Sequence, residues 1–393
     1  MKHIKKEQFI WDFQNKEIIP SCYENVFFNN TTYKNELSLA NKEKIVYVSL
    51  VPSYINYTLV NQEDYNQKKI QHIGKDGAGI LIDGNYTTDT YLQKFTSKKL
   101  RINLKRGKTR LEESFNIKYE CNFGSITADK YNFLLSELRI MLEKRFKEKN
   151  IENMFLKEWD LHTTNLYSLI NTKKASLFVI YSDEKPISIT INNHILNSIL
   201  YSKTNAFDTD YSKFGLGQID NYILLDWCLK NNYHFLDLGF GILEYKKKWC
   251  NLFYNYEYHL YTKKGSLTAS SIALMESFKI KFKNNLKIFK IDKVLQSIKF
   301  IFKKTPIEKN NSSPVETLEV KTKSDEINDD FLKNINIKNK KFKALRQPIY
   351  NYLYNSKLHV DTIETYEVTN QKNTYIVKAE EDIIKIKVLS YES

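Results

Sequence analysis

Ser212-Lys213-Phe214-Gly215-Leu216-Gly217-Gln218 stands between a tyrosine-rich strand-like run and an apolar helical run, and its reading decides the fold. Two glycines let the main chain approach a ligand without hindrance from a β-carbon. The helix expected from Gln218 to about Lys230 aims free N–H groups and the positive end of its dipole at the same point. Together they make a cradle for an anion such as a pyrophosphate. A Gly-x-Gly before a helix also arises where glycine serves only the backbone angles of a tight turn, so the flanking sequence has to decide.

Downstream, Asn232 to Trp249 reads NYHFLDLGFGILEYKKKW. It holds an apolar strand from His234 to Leu238, a break at Gly239 and Gly241, and then Tyr245-Lys246. Upstream, SLFVIY (Ser176 to Tyr181) and ISITI (Ile187 to Ile191) read as a hairpin turning at Ser182 to Pro186. The order is helix, hairpin, strand, glycine loop, helix, strand. It resembles the GNAT acyltransferase superfamily, whose phosphate loop runs Gln/Arg-x-x-Gly-x-Gly/Ala between the fourth strand and the third helix. SKFGLG fits that pattern except at Ser212, which stands where the family has Gln or Arg.

A finer resemblance is to the CelD-like and FemAB-like branch. It rests on Phe207-Asp208, Gly215, Gly217, Asp237-Leu238-Gly239, Gly241, Tyr245-Lys246 and Trp249, preceded by an Arg/Lys-rich helical stretch from Thr88 to Ser114. The similarity spans about Thr88 to Tyr261. It implies a mixed α/β fold: a central mixed, splayed β-sheet flanked by helices, in two GNAT-like lobes, with a small C-terminal accessory region. The expected division is an N-terminal lobe over 1–114, an acyl-CoA-binding domain with a basic helical extension over 115–304, a linker over 305–326 and an α+β accessory unit over 327–393.

The resemblance implies an N-acyltransferase in which an amine attacks the thioester of acyl-CoA, the cosubstrate, between two splayed strands. The amine would belong to a sugar, lipid or other cell-envelope precursor, nucleotide- or lipid-linked. Such a site needs a phosphate cradle, a base for the incoming ammonium and a proton donor for the departing thiolate. The cradle is Ser212, Lys213, Phe214, Gly215, Leu216, Gly217 and Gln218. Tyr245 is the candidate thiolate donor, with Tyr254 and Tyr256 as rivals. Asp237, at a strand end facing the expected crevice, is the candidate base, ahead of Glu244 and Asp208; as a residue before Gly239 it equally suits a turn cap. Lys246 would neutralise a phosphate. A FemAB-like transferase using aminoacyl-tRNA is one alternative, and a non-catalytic GNAT-like binding module is another.

Charge and composition bound these readings. The 393 residues are 42% apolar and 14% aromatic, enough for a large core. No segment reaches the roughly 20 uncharged apolar residues of a membrane span, and the first residues lack the apolar core of a signal peptide, so a cytoplasmic chain is expected. Four scattered cysteines and seven histidines show no metal-ligand spacing, and reduced, buried thiols are expected with no metal. The net charge of +14 suits an anionic partner, such as CoA, tRNA or an acidic membrane, although the abundance of Lys, Asn, Ile and Tyr accounts for part of it.

From Ala128, Tyr131, Leu134, Leu135, Leu138, Met141 and Leu142 recur at helical spacing behind Thr127 as N-cap, with Arg139, Lys144, Arg145 and Lys147 expected on a wet face. NMFLKEW (Asn153 to Trp159) reads as a strand, and the glycines of QHIGKDGAG (Gln71 to Gly79) as a turn between strands. Phe278 to Lys304 carries nine lysines and one acid, Asp292, among apolar residues. Such a stretch suits an anionic membrane or RNA. A helix or helix pair packed across the sheet with a lysine-rich outer face is the expectation preferred here.

Overall fold

A computed structural model describes residues 4–16, 18–35, 44–288, 317–322, 328–380 and 382–389. Strands β1 (Lys5–Gln8), β4 (Ile45–Pro52), β6 (Tyr65–Leu81), β7 (Ile117–Asn122), β8 (Ala175–Ser182), β9 (Lys185–Ile195), β10 (Ile199–Phe207), β11 (Phe235–Phe240) and β12 (Leu252–Lys263) form one nine-stranded sheet. Its order is β1-β4-β12-β6-β11-β10-β9-β8-β7. The pairs β1–β4 and β10–β11 are parallel and the others antiparallel, so the sheet is mixed.

Helices cover both faces because the inner strands are apolar on both sides; β8 and β9 are buried along almost their whole length. On one face lie α2 (Thr88–Phe95), α3 (Lys98–Ser114) and α8 (Leu216–Lys230), packed over Ile80, Phe178, Leu200 and Leu236. On the other, α4 (Ala128–Glu148) and α7 (Leu166–Asn171) cover Leu177, Val179, Ile189 and Ile191. The same face of β4 and β12 is covered by α1 (Phe9–Lys16) and a three-stranded sheet of β2 (Tyr23–Phe28), β3 (Thr31–Lys34) and β5 (Asn56–Leu59). The buried residues of α4 are Tyr131, Leu134, Leu135, Leu138, Met141 and Leu142, and the Thr127 hydroxyl accepts from the Lys130 amide. The apolar stripe and cap read from the sequence are thus those of the helix.

Other elements differ from the sequence reading. Gln71 to Gly79 is no turn but part of β6, and a β-carbon at Gly77 or Gly79 would lie 2.2 Å from the Tyr254 ring or 2.4 Å from the Phe235 ring. These glycines admit aromatic rings from neighbouring strands. Asn153 to Trp159 is not a strand: Asn153 caps the one-turn helix α5 (Met154–Lys157), followed by α6 (Trp159–Thr163). The Thr88 to Ser114 stretch is two helices, because Ser97 caps a new one at Lys98.

A second sheet, of order β13-β17-β16-β15-β14, lies at the C-terminal end, built from β13 (Thr317–Thr322), β14 (Leu332–Asn334), β15 (Glu364–Val368), β16 (Thr374–Lys378) and β17 (Ile383–Val388). β13 lies inside the stretch whose composition reads as a linker; alternation in Thr-Leu-Glu-Val-Lys-Thr lets it pair with all of β17. Helix α11 (Lys343–Ser356) continues through Pro348, whose ring is buried. Helix α10 (Leu267–Ile288) lies across β6 and β12 over Ile70 and Leu260. The rest of the basic stretch, residues 289–304, is outside the described residues. Among the described residues no helix is long and apolar enough to cross a membrane. Cys22 and Cys228 are buried, Cys121 and Cys250 partly so, and all four are free thiols.

Candidate functional site

Strands β10 and β11 pair through only three residues each, Ile199 to Tyr201 against Phe235 to Asp237, and then diverge. A register shift between Ser202 and Thr204 bends β10 away at the same level. The divergence opens a cavity of about 570 Å³, lined by Ser202 to Asn205 and Phe207 of one strand and by Leu238, Gly239 and Phe240 of the other. Helix α8 closes one side with Asp220, Asn221 and Leu224, and α4 the opposite side with Leu142, Arg145 and Phe146.

The glycine loop enters α8 at the edge of this cavity. After a 3-10 turn over Thr209–Phe214, Gly215 takes φ +75°, where other residues are strained, and no side chain caps the helix. The amides of Leu216 and Gly217 belong to the first turn, whose N–H groups have no intrahelical acceptor. A β-carbon at Gly215 would stand in open space, and one at Gly217 would meet only the edge of Phe207, at 3.5 Å. Ser212, Gly215, Leu216, Gly217 and Gln218 line the cavity; Lys213 and Phe214 do not. Phe214 is buried beneath the turn, and its carbonyl oxygen would lie 2.4 Å from a β-carbon at Gly107 of α3. The side chain of Gln218 is engaged, its Oε1 accepting from the indole of fully buried Trp249 at 2.5 Å.

Ion pairs fix the turn from below. Asp208 accepts from Lys185 at 2.6 Å and from Lys144 at 3.2 Å, and Lys144 reaches Asp210 at 2.7 Å. Burial raises the Asp208 pKa, but the two lysines overcome it and hold the carboxyl down at about 2. The wet face expected for Lys144 and Arg145 is therefore not what the fold makes of them. Arg145 lies 4.5 Å above the Phe207 ring, at the cavity wall, with no carboxylate at ion-pairing distance among the described residues.

Tyr245 and Lys246 both line the cavity, on α9 (Glu244–Lys247) beyond the end of β11. Tyr245 is 38% exposed at the rim. Burial raises its pKa and the charge of Arg145 acts in the opposite sense. The Lys246 ammonium donates to the carbonyls of Gly239 (3.0 Å) and Phe240 (2.6 Å), so it pins the glycine break at the strand end; burial draws its pKa down to about 8.

Asp237 is absent from the cavity wall. It points to the face of the sheet opposite α8, where it is 1% exposed and accepts from Tyr54 (2.8 Å), Tyr254 (2.6 Å) and the Gly239 amide (2.8 Å). Glu244 pairs with Lys247 outside. The cavity's carboxylate is Asp220, one turn into α8 and the sole acid among its described lining residues. It is 4% exposed; its Oδ2 accepts from Ser188 (2.6 Å) and Asn205 (2.8 Å), and burial raises its pKa to about 6. Lys203, at the bend of β10, also faces the cavity, and burial lowers its pKa to about 8. Sequence reading passed over Asp220 and Lys203 and placed Arg145 on a wet face. Only Asp220 left a signal: with Asn221 it forms a polar pair between Ile219 and the apolar run Ile223 to Leu225 of the helix. Among the described residues no group of three or more His, Cys, Asp or Glu is placed to hold a metal ion.

The family described as "Acetyltransferase (GNAT) domain" matches residues 98–247, which include the glycine loop, both diverging strands, Asp220, Tyr245 and Lys246. Similar solved structures include a conserved protein of unknown function from Bacteroides thetaiotaomicron (13% identity over 56% of this chain and 70% of that one, TM-score 0.37). L-PGS from Bacillus licheniformis (14%, 59% and 72%, TM-score 0.35) and FemX (10%, 57% and 73%, TM-score 0.40) are two others. No curated protein sequence matches the chain.

Proposed function

We propose, from the premise that residues 98–247 are an acetyltransferase domain of the GNAT family, that this chain is an N-acyltransferase taking its acyl group from acyl-CoA. The observation that carries this reading is the uncapped first turn of α8 opening into the gap between β10 and β11. Free amides and the helix dipole suit a pyrophosphate, and the gap gives the pantetheine arm and an amine room to meet.

Residue roles follow from position. Leu216 and Gly217 supply backbone donors. Arg145 supplies from α4 the guanidinium that Ser212 lacks: its perch on Phe207, the ring that a β-carbon at Gly217 would meet, sets it beside the loop. Asp220 takes the proton of the incoming ammonium; a carboxylate titrating near 6 is ionised at neutral pH and basic enough to share a proton in the transition state. The amine nitrogen then bonds to the acyl carbon, the carbon–sulfur bond breaks, Tyr245 protonates the thiolate, and the second proton leaving the new amide nitrogen returns to the Tyr245 phenolate. Lys246 and Asp237 act as positioning groups, fixing the two sides of Gly239. The acceptor is read as an amine on a sugar, lipid or other envelope precursor, as the CelD-like resemblance implies.

Titration calorimetry of the intact chain against acetyl-CoA, longer acyl-CoAs and bulk tRNA tests the donor. Micromolar binding of an acyl-CoA is expected. Binding of tRNA with no response to any acyl-CoA would replace this reading with aminoacyl transfer.

Tyr245→Phe is expected to lower turnover by roughly 10²-fold or more with acyl-CoA affinity nearly unchanged, measured by steady-state kinetics beside calorimetry. Wild-type turnover would give the proton to another donor.

Asp220→Asn carries two opposed expectations. The folded pKa of about 6 lies above the unfolded value of about 3.9, so the native state binds the proton more tightly. The stability this contributes is full below about pH 4 and is lost as pH rises through 6. The asparagine variant should thus gain on the wild type by on the order of 2 kcal/mol between pH 4.5 and pH 8 in urea unfolding. Its turnover should fall, and the rise in rate through about pH 6 should vanish. A rate profile identical to the wild type would remove Asp220 from the chemistry.

A further inference from the structure

Helix α10 wears its polarity inside out. The face against β6 and β12 buries Ala269, Glu276, Ser277, Ile280 and Asn284. Asn284 donates to the Gln71 carbonyl at 2.8 Å and accepts from the Ile73 amide at 3.2 Å, and Lys287 donates to the Ile73 carbonyl at 3.0 Å. These bonds fix which face is turned outward. On that outward face Leu267 is 86% exposed, Leu274 66%, Phe278 70% and Phe282 54%. Steps of seven, four and four place these four in one stripe along residues 267–282, and the rings of Phe278 and Phe282 stack at 6.4 Å. Single exposed apolar residues are ordinary, whereas a continuous stripe of large ones marks an interaction face.

Charge selects the occupant. By helical position Lys281 borders one edge of the stripe and Lys279 and Lys283 the other, while the only acid of the helix, Glu276, is on the buried side paired with Lys279. Two copies packed through this face would bring their lysines together. The chain's own residues 289–304 carry five lysines against one aspartate, a further like-charged partner. An anionic bilayer instead takes the apolar stripe into its acyl boundary while the lysines reach out to the headgroups. We infer that the outward face of α10 docks this protein on an anionic membrane surface. The expectation of a lysine-rich outer face is corrected accordingly: that face is apolar with lysine borders.

Flotation of the intact chain with phosphatidylcholine vesicles, with and without phosphatidylglycerol, tests this. Binding is expected only where phosphatidylglycerol is present, and it should weaken as salt rises. Phe278→Ser with Phe282→Ser should lower it by roughly tenfold or more at an unchanged melting temperature, since both rings are already exposed. Lys279→Gln, Lys281→Gln and Lys283→Gln together should reduce the binding and most of its salt dependence. The inference is overturned if the intact chain does not float with anionic vesicles, if neither variant alters binding, or if sedimentation shows a dimer that Phe278→Ser dissolves. None of these outcomes bears on acyl-CoA binding, which the calorimetry reads separately.

Discussion

Gly217→Val is expected to cut acyl-CoA affinity on the order of 100-fold, about 3 kcal/mol, while the chain stays folded. Gly217 is helical, and valine is no worse a helix former than glycine. Its β-carbon would meet only the Phe207 ring edge at 3.5 Å, an ordinary contact. The branched methyls project toward the cavity, where they hold a phosphate away from the amides of the first turn, and hydrogen bonds to charged groups are worth about 1.5–3 kcal/mol each. Gly215 is a poorer probe, since φ +75° would strain any replacement and mix folding with binding. Calorimetry beside a thermal melt separates the two effects. Unchanged affinity in a folded Gly217→Val protein would take the loop out of the donor site.

Ending the chain after Thr305 is expected to damage the cradle as well as remove the accessory unit. The resemblance read from the sequence stops near Tyr261, well short of the tail. Yet α11 packs against the back of the glycine loop. Tyr350 meets Tyr211 at 4.7 Å and Phe115 at 4.8 Å between ring centroids, and Phe214 meets Tyr354 at 5.3 Å. Gln347 donates to the Ser212 hydroxyl at 3.4 Å, and Ile349 and Leu353 share the core of α3 and α8. Truncation strips these contacts from Tyr211 and Phe214, 3% and 2% exposed in the intact chain. Loss of several kcal/mol of stability follows from area and packing, with weakened acyl-CoA binding. Tyr350→Ala with Tyr354→Ala gives the milder form of the test. A truncated chain that melts and binds acyl-CoA like the intact one would make the tail a passive appendage.

What the sequence disclosed depended on how local the physics is. The α4 stripe, the Thr127 cap, the β8–β9 hairpin and the glycine entry to α8 are set by neighbours within a few residues, and periodicity exposes them. Gly77 and Gly79 look like turn residues because the rings that need their missing side chains come from residues 235 and 254. Lys144 and Arg145 look like solvated helix positions because Asp208, Asp210 and Phe207, which receive them, lie more than 60 residues away. Asn153 to Trp159 has an apolar pattern too short to tell helix from strand, and one cap decided it. The glycine loop was legible as a motif. The acid of the cavity was not, because which face of the sheet a carboxylate joins depends on register: Asp237 and Leu238 are adjacent, and only Leu238 reaches the cavity.

The place of β6 in the large sheet has a consequence for how the protein is made. β6 lies between β11 and β12, so Gly79 pairs with Asp237 on one side and Leu252 on the other. A ribosome must therefore deliver more than 150 further residues before the first of those partners exists, and until then a 17-residue strand waits with both edges open. The segment 98–247 expressed by itself meets the mirror problem, since β11 then has no neighbour on its β6 side. Excised fragments that leave these strand edges open are expected to aggregate more readily than the intact chain, as light scattering on refolding would show.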